Sequence, residues 1–173
     1  MVGSERTKNG RKGTTSLIII DAQSVKNTDS TTEKGYDGGK KVSGIKRHIA
    51  VDTNGLPHAV SVTTANVGDR QGALAMLASY QAGLPDVLKA LVDGGYAGED
   101  FAKEVGCILS ATTQVVKRNE LHAFKVLPQR WVVERSFGWL EKCRRLWKNC
   151  ERFLASSLAM MQLAFISLLL RRC

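Results

Sequence analysis

Leu17-Ile18-Ile19-Ile20 is an unbroken apolar run, rich in β-branched side chains, and it ends on a carboxylate, Asp21. A strand with one solvated face alternates apolar and polar residues, whereas a strand without alternation is covered on both faces. Such a chain has to build a sheet with this run in its middle. A second run, Val87 to Val92, also ends on an aspartate, Asp93, ahead of Gly94-Gly95.

The other elements follow from local pattern. Ile45 to Asp52 has strand character, Asn54-Gly55 is a hairpin signal, and His58 to Thr63 alternates. Asp69 is expected to cap a helix with Leu74, Leu77 and Tyr80 at helical spacing, stopped by Gly83 and Pro85. A short helix over Glu99 to Val105, a strand over Cys107 to Ala111 and helices from Gln129 onward, with a break near Asn149, complete the order. The expected class is α/β: a mixed sheet with a three-strand meander and crossover strands, flanked by helices. Residues 1–16 are polar and basic and read as a flexible arm. Residues 17–173 form one domain, in which the four-glycine stretch 27–44 reads as a mobile loop.

Composition limits the function. At 173 residues, 43% apolar and 24% charged, the chain can bury a core and is neither wholly disordered nor fibrous. Its net charge of +9 points to a polyanionic partner. The charge is uneven: residues 49–116 carry three basic and seven acidic side chains, and residues 117–152 carry ten and four. Acidic centres can hold a hard cation and basic flanks can hold phosphates, although solvated faces that alternate in sign would give the same count. Cys107, Cys143, Cys150 and Cys173 form no CxxC pair, so free thiols in a reducing cytoplasm are expected.

If the strands ending on Asp21 and Asp93 are parallel neighbours, the two carboxylates meet beyond their carboxyl ends, where ligands bind in open α/β sheets. Bare carboxylates at that distance repel unless a cation bridges them, and Mg²⁺ suits oxygen donors that leave room for water and phosphate. Each aspartate could equally cap its own turn. In Arg130-Trp131-Val132-Val133-Glu134, helical spacing puts Arg130 and Glu134 on one face, with Gly138 above and Glu141 nearby. Val133, Phe137 and Leu140 form a stripe that would dock on the sheet and set Glu134 at its rim; an ordinary surface Arg–Glu pair is the alternative.

IIIDAQSVK (Ile18 to Lys26), LVDGGYAG (Leu91 to Gly98) and RWVVERSFGWL (Arg130 to Leu140) resemble three blocks of DDE-type insertion-sequence transposases, in the branch of insertion sequence five. GIKRHIAVDTNGLP (Gly44 to Pro57) resembles that family's connecting hairpin. The resemblance implies a ribonuclease H-like core and a DNA-cutting and strand-transferring enzyme. Asp21, Asp93 and Glu134 would be its catalytic acids and the ligands of two Mg²⁺ ions, with Mn²⁺ as substitute. The family's last block usually carries a tyrosine where this chain has Leu127, and a lysine where it has Glu141, with Lys142 next. Double-stranded DNA at element ends and target, a homo-oligomer on that DNA, and an upstream-frame DNA-binding polypeptide are the partners implied. The setting would be the cytoplasm, at the bacterial nucleoid.

Lys40, Lys41, Lys46, Arg47, Arg130, Lys142, Arg144 and Arg145 are the expected phosphate contacts, and Trp131, Trp139 and Trp147 interleave with them as core residues or stacking platforms. His48, His58 and His122 share no motif and read as surface or strand residues. Leu154 to Leu170 is apolar nearly all round. At about 1.5 Å per residue it falls short of a ~30 Å bilayer core and reads as a buried helix. Three functions remain open from sequence: a transposase, a decayed fragment that binds DNA without cutting, and a small basic protein anchored by its last helix.

Overall fold

The computed structural model describes residues 1–116 and 130–172, of which Arg130 by its backbone alone. Leu127 and His122 lie outside the described residues. Ten elements follow in order: α1 Val2–Lys8, β1 Leu17–Lys26, β2 Gly35–Asp37, β3 Val42–Val51, β4 Pro57–Thr64, α2 Asp69–Tyr80, β5 Lys89–Asp93, α3 Glu99–Leu109, β6 Thr112–Val116 and α4 Arg130–Glu141. An eleventh, α5 Leu154–Leu170, comes last.

β1 is central. On one side it runs antiparallel to β3, from Ile19 opposite Val51 to Lys26 opposite Gly44; on the other it runs parallel to β5, with Ile19 level with Leu91. β6 extends the parallel edge beyond β5. β4 pairs with β3 over Ile45 to Val51, and β2 caps the same edge at Val42 to Gly44. The register of β1 and β3 needs a glycine at Gly44, since a Cβ there would stand 2.0 Å from the Val25 carbonyl oxygen. At the β3–β4 turn Asp52 Oδ1 accepts the N–H groups of Asn54 (2.8 Å) and Leu56 (3.0 Å), and Gly55 takes the positive φ of 78° that this turn requires.

The side-chain period of two sorts the sheet into two faces. Ile18, Ile20, Ala90 and Val92 pack under α2 and α3, with Met76, Leu77, Phe101 and Val105. Ile19, Ile49, Leu91 and Val60 pack under α4 and α5, with Val133, Phe137, Leu140, Met161 and Phe165. Both faces of β1 are covered over Ile18 to Ile20, which is why that run does not alternate. Asn149 fastens the chain after α4 to the end of β1. Its N–H donates to the Lys26 carbonyl (2.9 Å) and its own carbonyl accepts from Thr28 N–H (2.9 Å). Its amide nitrogen donates to Asn27 Oδ1 (3.0 Å), and its Oδ1 accepts from Ser157 on α5 (2.7 Å).

The structure departs from the sequence expectations in five places. Residues 1–16 are not simply an arm: Val2–Lys8 is helical, and Arg6 is buried, pairing with Asp52 and donating to the carbonyls of Lys12 (2.9 Å) and Thr14 (3.0 Å). The stretch 27–44 holds a strand, β2, because Asp37 Oδ1 takes the N–H groups of Gly39 and Lys40 (3.0 Å each) and closes a turn onto β3. Asp69 is the first residue of α2 and Gly68 is the cap. α3 runs on to Leu109, since Phe101, Val105 and Leu109 continue one buried stripe; Ser110, at φ 55°, ends it, and the strand forms at Thr112–Val116 rather than at Cys107 to Ala111. α5 buries Ser157, Met161, Phe165 and Leu169 on one stripe and leaves Leu163, Ile166 and Leu170 exposed. Among the described residues no helix is long and apolar enough to cross a membrane.

Candidate active site

Strand register brings Asp21 and Asp93 together. Ile19 is level with Leu91, so two residues further along each parallel strand Asp21 stands level with Asp93, and both project from the face that α4 covers. β5 ends at Asp93, while β1 runs on beside β3 alone. The sheet splits there, and a cleft opens between Ile19, Asp21, Leu91, Asp93, Val116 of β6 and Val133 of α4. Apart from the two carboxylates its walls are aliphatic.

Both carboxylates are partly held by backbone. Asp21 Oδ1 accepts from Ala22 N–H (2.8 Å), and Asp93 Oδ1 from Gly95 N–H (2.9 Å), which caps the turn at Gly94–Tyr96. The capping role expected as an alternative for Asp93 is therefore real and coexists with its place in the cleft. Tyr96 lies beneath them, buried against Phe101 at 5.4 Å between ring centroids. Burial raises its pKa far above the usual phenol value, and the negative charges of Asp21, Asp69 and Asp93 push it the same way.

Glu134 follows Val133, which lines the cleft, so α4 brings the third acid to the neighbouring helix face. It is exposed there, and among the described residues no three His, Cys, Asp or Glu side chains are close enough to share a metal ion. The structure brings two of the three acids together and sets the third on the element beside them. Asp21, midway along β1, and Asp93, at the end of β5, are hard oxygen donors of the type Mg²⁺ or Mn²⁺ takes, and the donor set fits such an ion.

The expected basic contacts divide in two. Lys41, Lys142, Arg144 and Arg145 are exposed, the last paired with Glu151 at 2.8 Å. Lys40 donates to the Ala22 carbonyl (3.1 Å) and pairs with Asp69 (3.6 Å). Lys46 and Arg47 are not surface cations. Lys46 is buried between Asp37 (3.3 Å) and Asp69 (2.7 Å), and Arg47 is buried with Nη2 donating to the Leu146 carbonyl (2.8 Å). β3 is paired on both edges and covered on both faces, so its polar side chains have to find partners inside the protein. The Arg130 side chain lies outside the described residues. His48, read as a surface or strand residue, lies on β3 and is buried, with Nε2 3.0 Å from Thr63 Oγ1.

Sequence reasoning undervalued the tryptophans. Trp131 and Trp147 are exposed rather than core. The Arg135 guanidinium lies over Trp131 (4.3 Å to centroid) and Trp139 (4.9 Å), with Arg172 on Trp139 (4.3 Å). The spacing 131, 135, 139 is one helix face and could have revealed this ladder.

The transposase DDE domain family matches residues 12–170. A Burkholderia cepacia protein assigned as transposase for insertion sequence element IS402 is 33% identical over 118 residues, 63% of this chain and 54% of that protein. The chain thus spans about half the length of that relative. A Brucella ovis protein assigned as transposase for insertion sequence element IS6501 is 27% identical over 132 residues, 73% of this chain and 98% of that protein. Among solved structures, a chain from the cryo-EM structure of the simian T-cell lymphotropic virus intasome in complex with PP2A regulatory subunit B56 gamma matches with a TM-score of 0.55. That match covers 88% of this chain and 47% of the other at 16% identity, and the shared fold is ribonuclease H-like.

Proposed function

The chain belongs to the transposase DDE domain family, and from that premise we propose that it cuts and transfers DNA strands for an insertion sequence, with Asp21, Asp93 and Glu134 as catalytic acids. The observation that carries this reading is the meeting of Asp21 and Asp93 from parallel strands in one cleft beside the helix of Glu134.

The chain's own residues do most of the arranging. The backbone N–H groups of Ala22 and Gly95 fix one oxygen of each aspartate before substrate arrives, so little reorganisation is left for the reaction. Ile19, Leu91, Val116 and Val133 give the two half-buried carboxylates an aliphatic surround. Magnesium ions held by Asp21, Asp93 and Glu134 would activate the attacking oxygen, water or a freed 3′-hydroxyl, and stabilise the leaving one. Lys41, Lys142, Arg144 and Arg145, exposed on the basic segments, would carry the phosphates of double-stranded DNA. Recognition of element ends would come from an upstream polypeptide, and a pair of chains would bring two ends together.

One observation favours a second reading, a fragment that binds DNA without cutting it: Glu134 does not join the aspartates in a three-ligand group among the described residues. A plasmid-nicking assay with inverted-repeat DNA decides between them. Nicking with Mg²⁺ or Mn²⁺ that stops in excess chelator supports the enzyme; binding without nicking in either metal overturns it.

A further inference from the structure

The acidic face of the sheet continues past Asp21. Gln23 is the next residue of β1 on that face, and Arg47 is its partner across β3. On α4, Glu141 lies seven residues, two turns, beyond Glu134. Gln23 Nε2 donates to Glu141 Oε1 at 2.6 Å, and beside this link opens a second cleft of about 330 Å³, lined by Gln23, Lys26, Arg47, Glu141, Trp147 and Lys148. It lies about 7 Å from Asp21 along the strand, and its size falls in the ~300–1,000 Å³ range of clefts that enclose small ligands.

Three features of this cleft do not serve the fold. Trp147 is 72% exposed, with Lys148 Nζ 5.5 Å from its ring centroid; an indole left in water between cations gains nothing from burial. Arg47, only 2% exposed, spends Nη2 on the Leu146 carbonyl, but its Nη1 finds no acceptor. Leaving a buried guanidinium nitrogen without an acceptor is costly, and natural structures keep such a group for a reason. Lys26, Arg47 and Lys148 set three cations against the one carboxylate of Glu141, whose charge also acts on Arg47, so the cleft is net positive.

We propose that this cleft seats one nucleotide of the strand that flanks the cut phosphate, its base stacked on Trp147 and its phosphate held by Lys26 and Lys148 with Arg47 behind. Stacking on an exposed indole beside cations is the general means of holding single-stranded nucleic acid. The link to the cut phosphate rests on the strand-cutting reading; the seating of a nucleotide does not.

The full chain is tested with oligothymidylate carrying 5-iodouracil, without metal, by anisotropy and by mapping photocross-linked peptides. The cross-link is expected at Trp147. Trp147→Ala and the Lys26→Ala/Lys148→Ala double variant should each weaken binding at least tenfold, while Trp147→Phe keeps most of the affinity and Lys103→Ala, on α3, changes it less than twofold. Cross-links confined to other peptides, with Trp147→Ala binding like the wild type, overturn the subsite even if the chain nicks plasmid. A Trp147 cross-link in a chain that never nicks supports the subsite and refutes the strand-cutting reading instead.

Discussion

Asp93 has two jobs at one carboxyl group, and a single substitution separates them. Asparagine keeps an oxygen for the Gly95 N–H but gives up the charge, so Asp93→Asn should retain the turn and its melting temperature while losing strand cutting. Several kcal/mol of charge stabilisation correspond to a loss of roughly 10²–10³-fold or more, and Asp21→Asn should behave alike. Nicking by Asp93→Asn at the wild-type rate would remove that residue from the chemistry. His48 makes a separate prediction about stability. Burial pushes its pKa down to about 4, Asp69 opposing and Lys46 and Lys40 assisting. The unfolded chain takes up this proton near pH 6.5 and the folded chain only near 4, so stability is lost as pH falls between those values, by on the order of 3 kcal/mol. Urea midpoints at pH 7 and 4.5 should show the drop in the wild type and a smaller one in His48→Gln. The imidazole is also why residue 72 is glycine: a Cβ there would stand 2.1 Å from His48 Cε1, and Gly72→Ala should cost about 1–3 kcal/mol by overpacking.

α1 is held by charge more than by its own helix propensity. Seven residues are too few for an isolated helix, and what fastens them is Arg6 on Asp52, 46 positions away. Burial alone would raise the Asp52 pKa; hydrogen bonds from His58, Leu56 N–H, Arg6 and Asn54 N–H outweigh it and bring it to about 2. Arg6→Ala would leave that carboxylate buried without its cation. It should cost roughly 3–5 kcal/mol and open the chain to trypsin at Arg11 and Lys12, whereas uncut protein under conditions that cleave a denatured control would refute the clasp. A partner so distant leaves no local pattern, and for that reason the segment reads as an arm. β1, β5, the Asn54-Gly55 hairpin and the docked stripe of α4 were legible because each is written in neighbouring residues: a run, a turn pair, a period. β2 exists only by pairing with β3, and Lys46 and Arg47 pass for surface cations until the sheet closes on both sides of their strand. Asp21 and Asp93 could be named because each closes an apolar run, although β1 continues past Asp21 to Lys26; their being level is a matter of register between segments some 70 residues apart, and Trp147 beside a buried Arg47 is visible only once folded.

At the scale of the whole molecule the net charge of +9 should govern DNA affinity. If Lys41, Lys142, Arg144, Arg145 and one more cation meet phosphates, the log–log slope of affinity against salt should be about −4 to −5. These contacts read no bases, so terminal-repeat and scrambled duplexes should compete within about tenfold; a preference above a hundredfold, about 2.7 kcal/mol, would show that the chain discriminates sequence itself. Asn149 has a consequence of another kind. It ties the end of β1 to the segment after α4: Thr28 N–H donates to the carbonyl of Asn149, 121 residues on, and Asn149 N–H donates back to the carbonyl of Lys26. Neither amide can reach deuterium unless the other is released, so Thr28 and Asn149 should exchange at one rate. In time the two segments are a single unit, and the wall that carries Trp147 opens only when the end of β1 does.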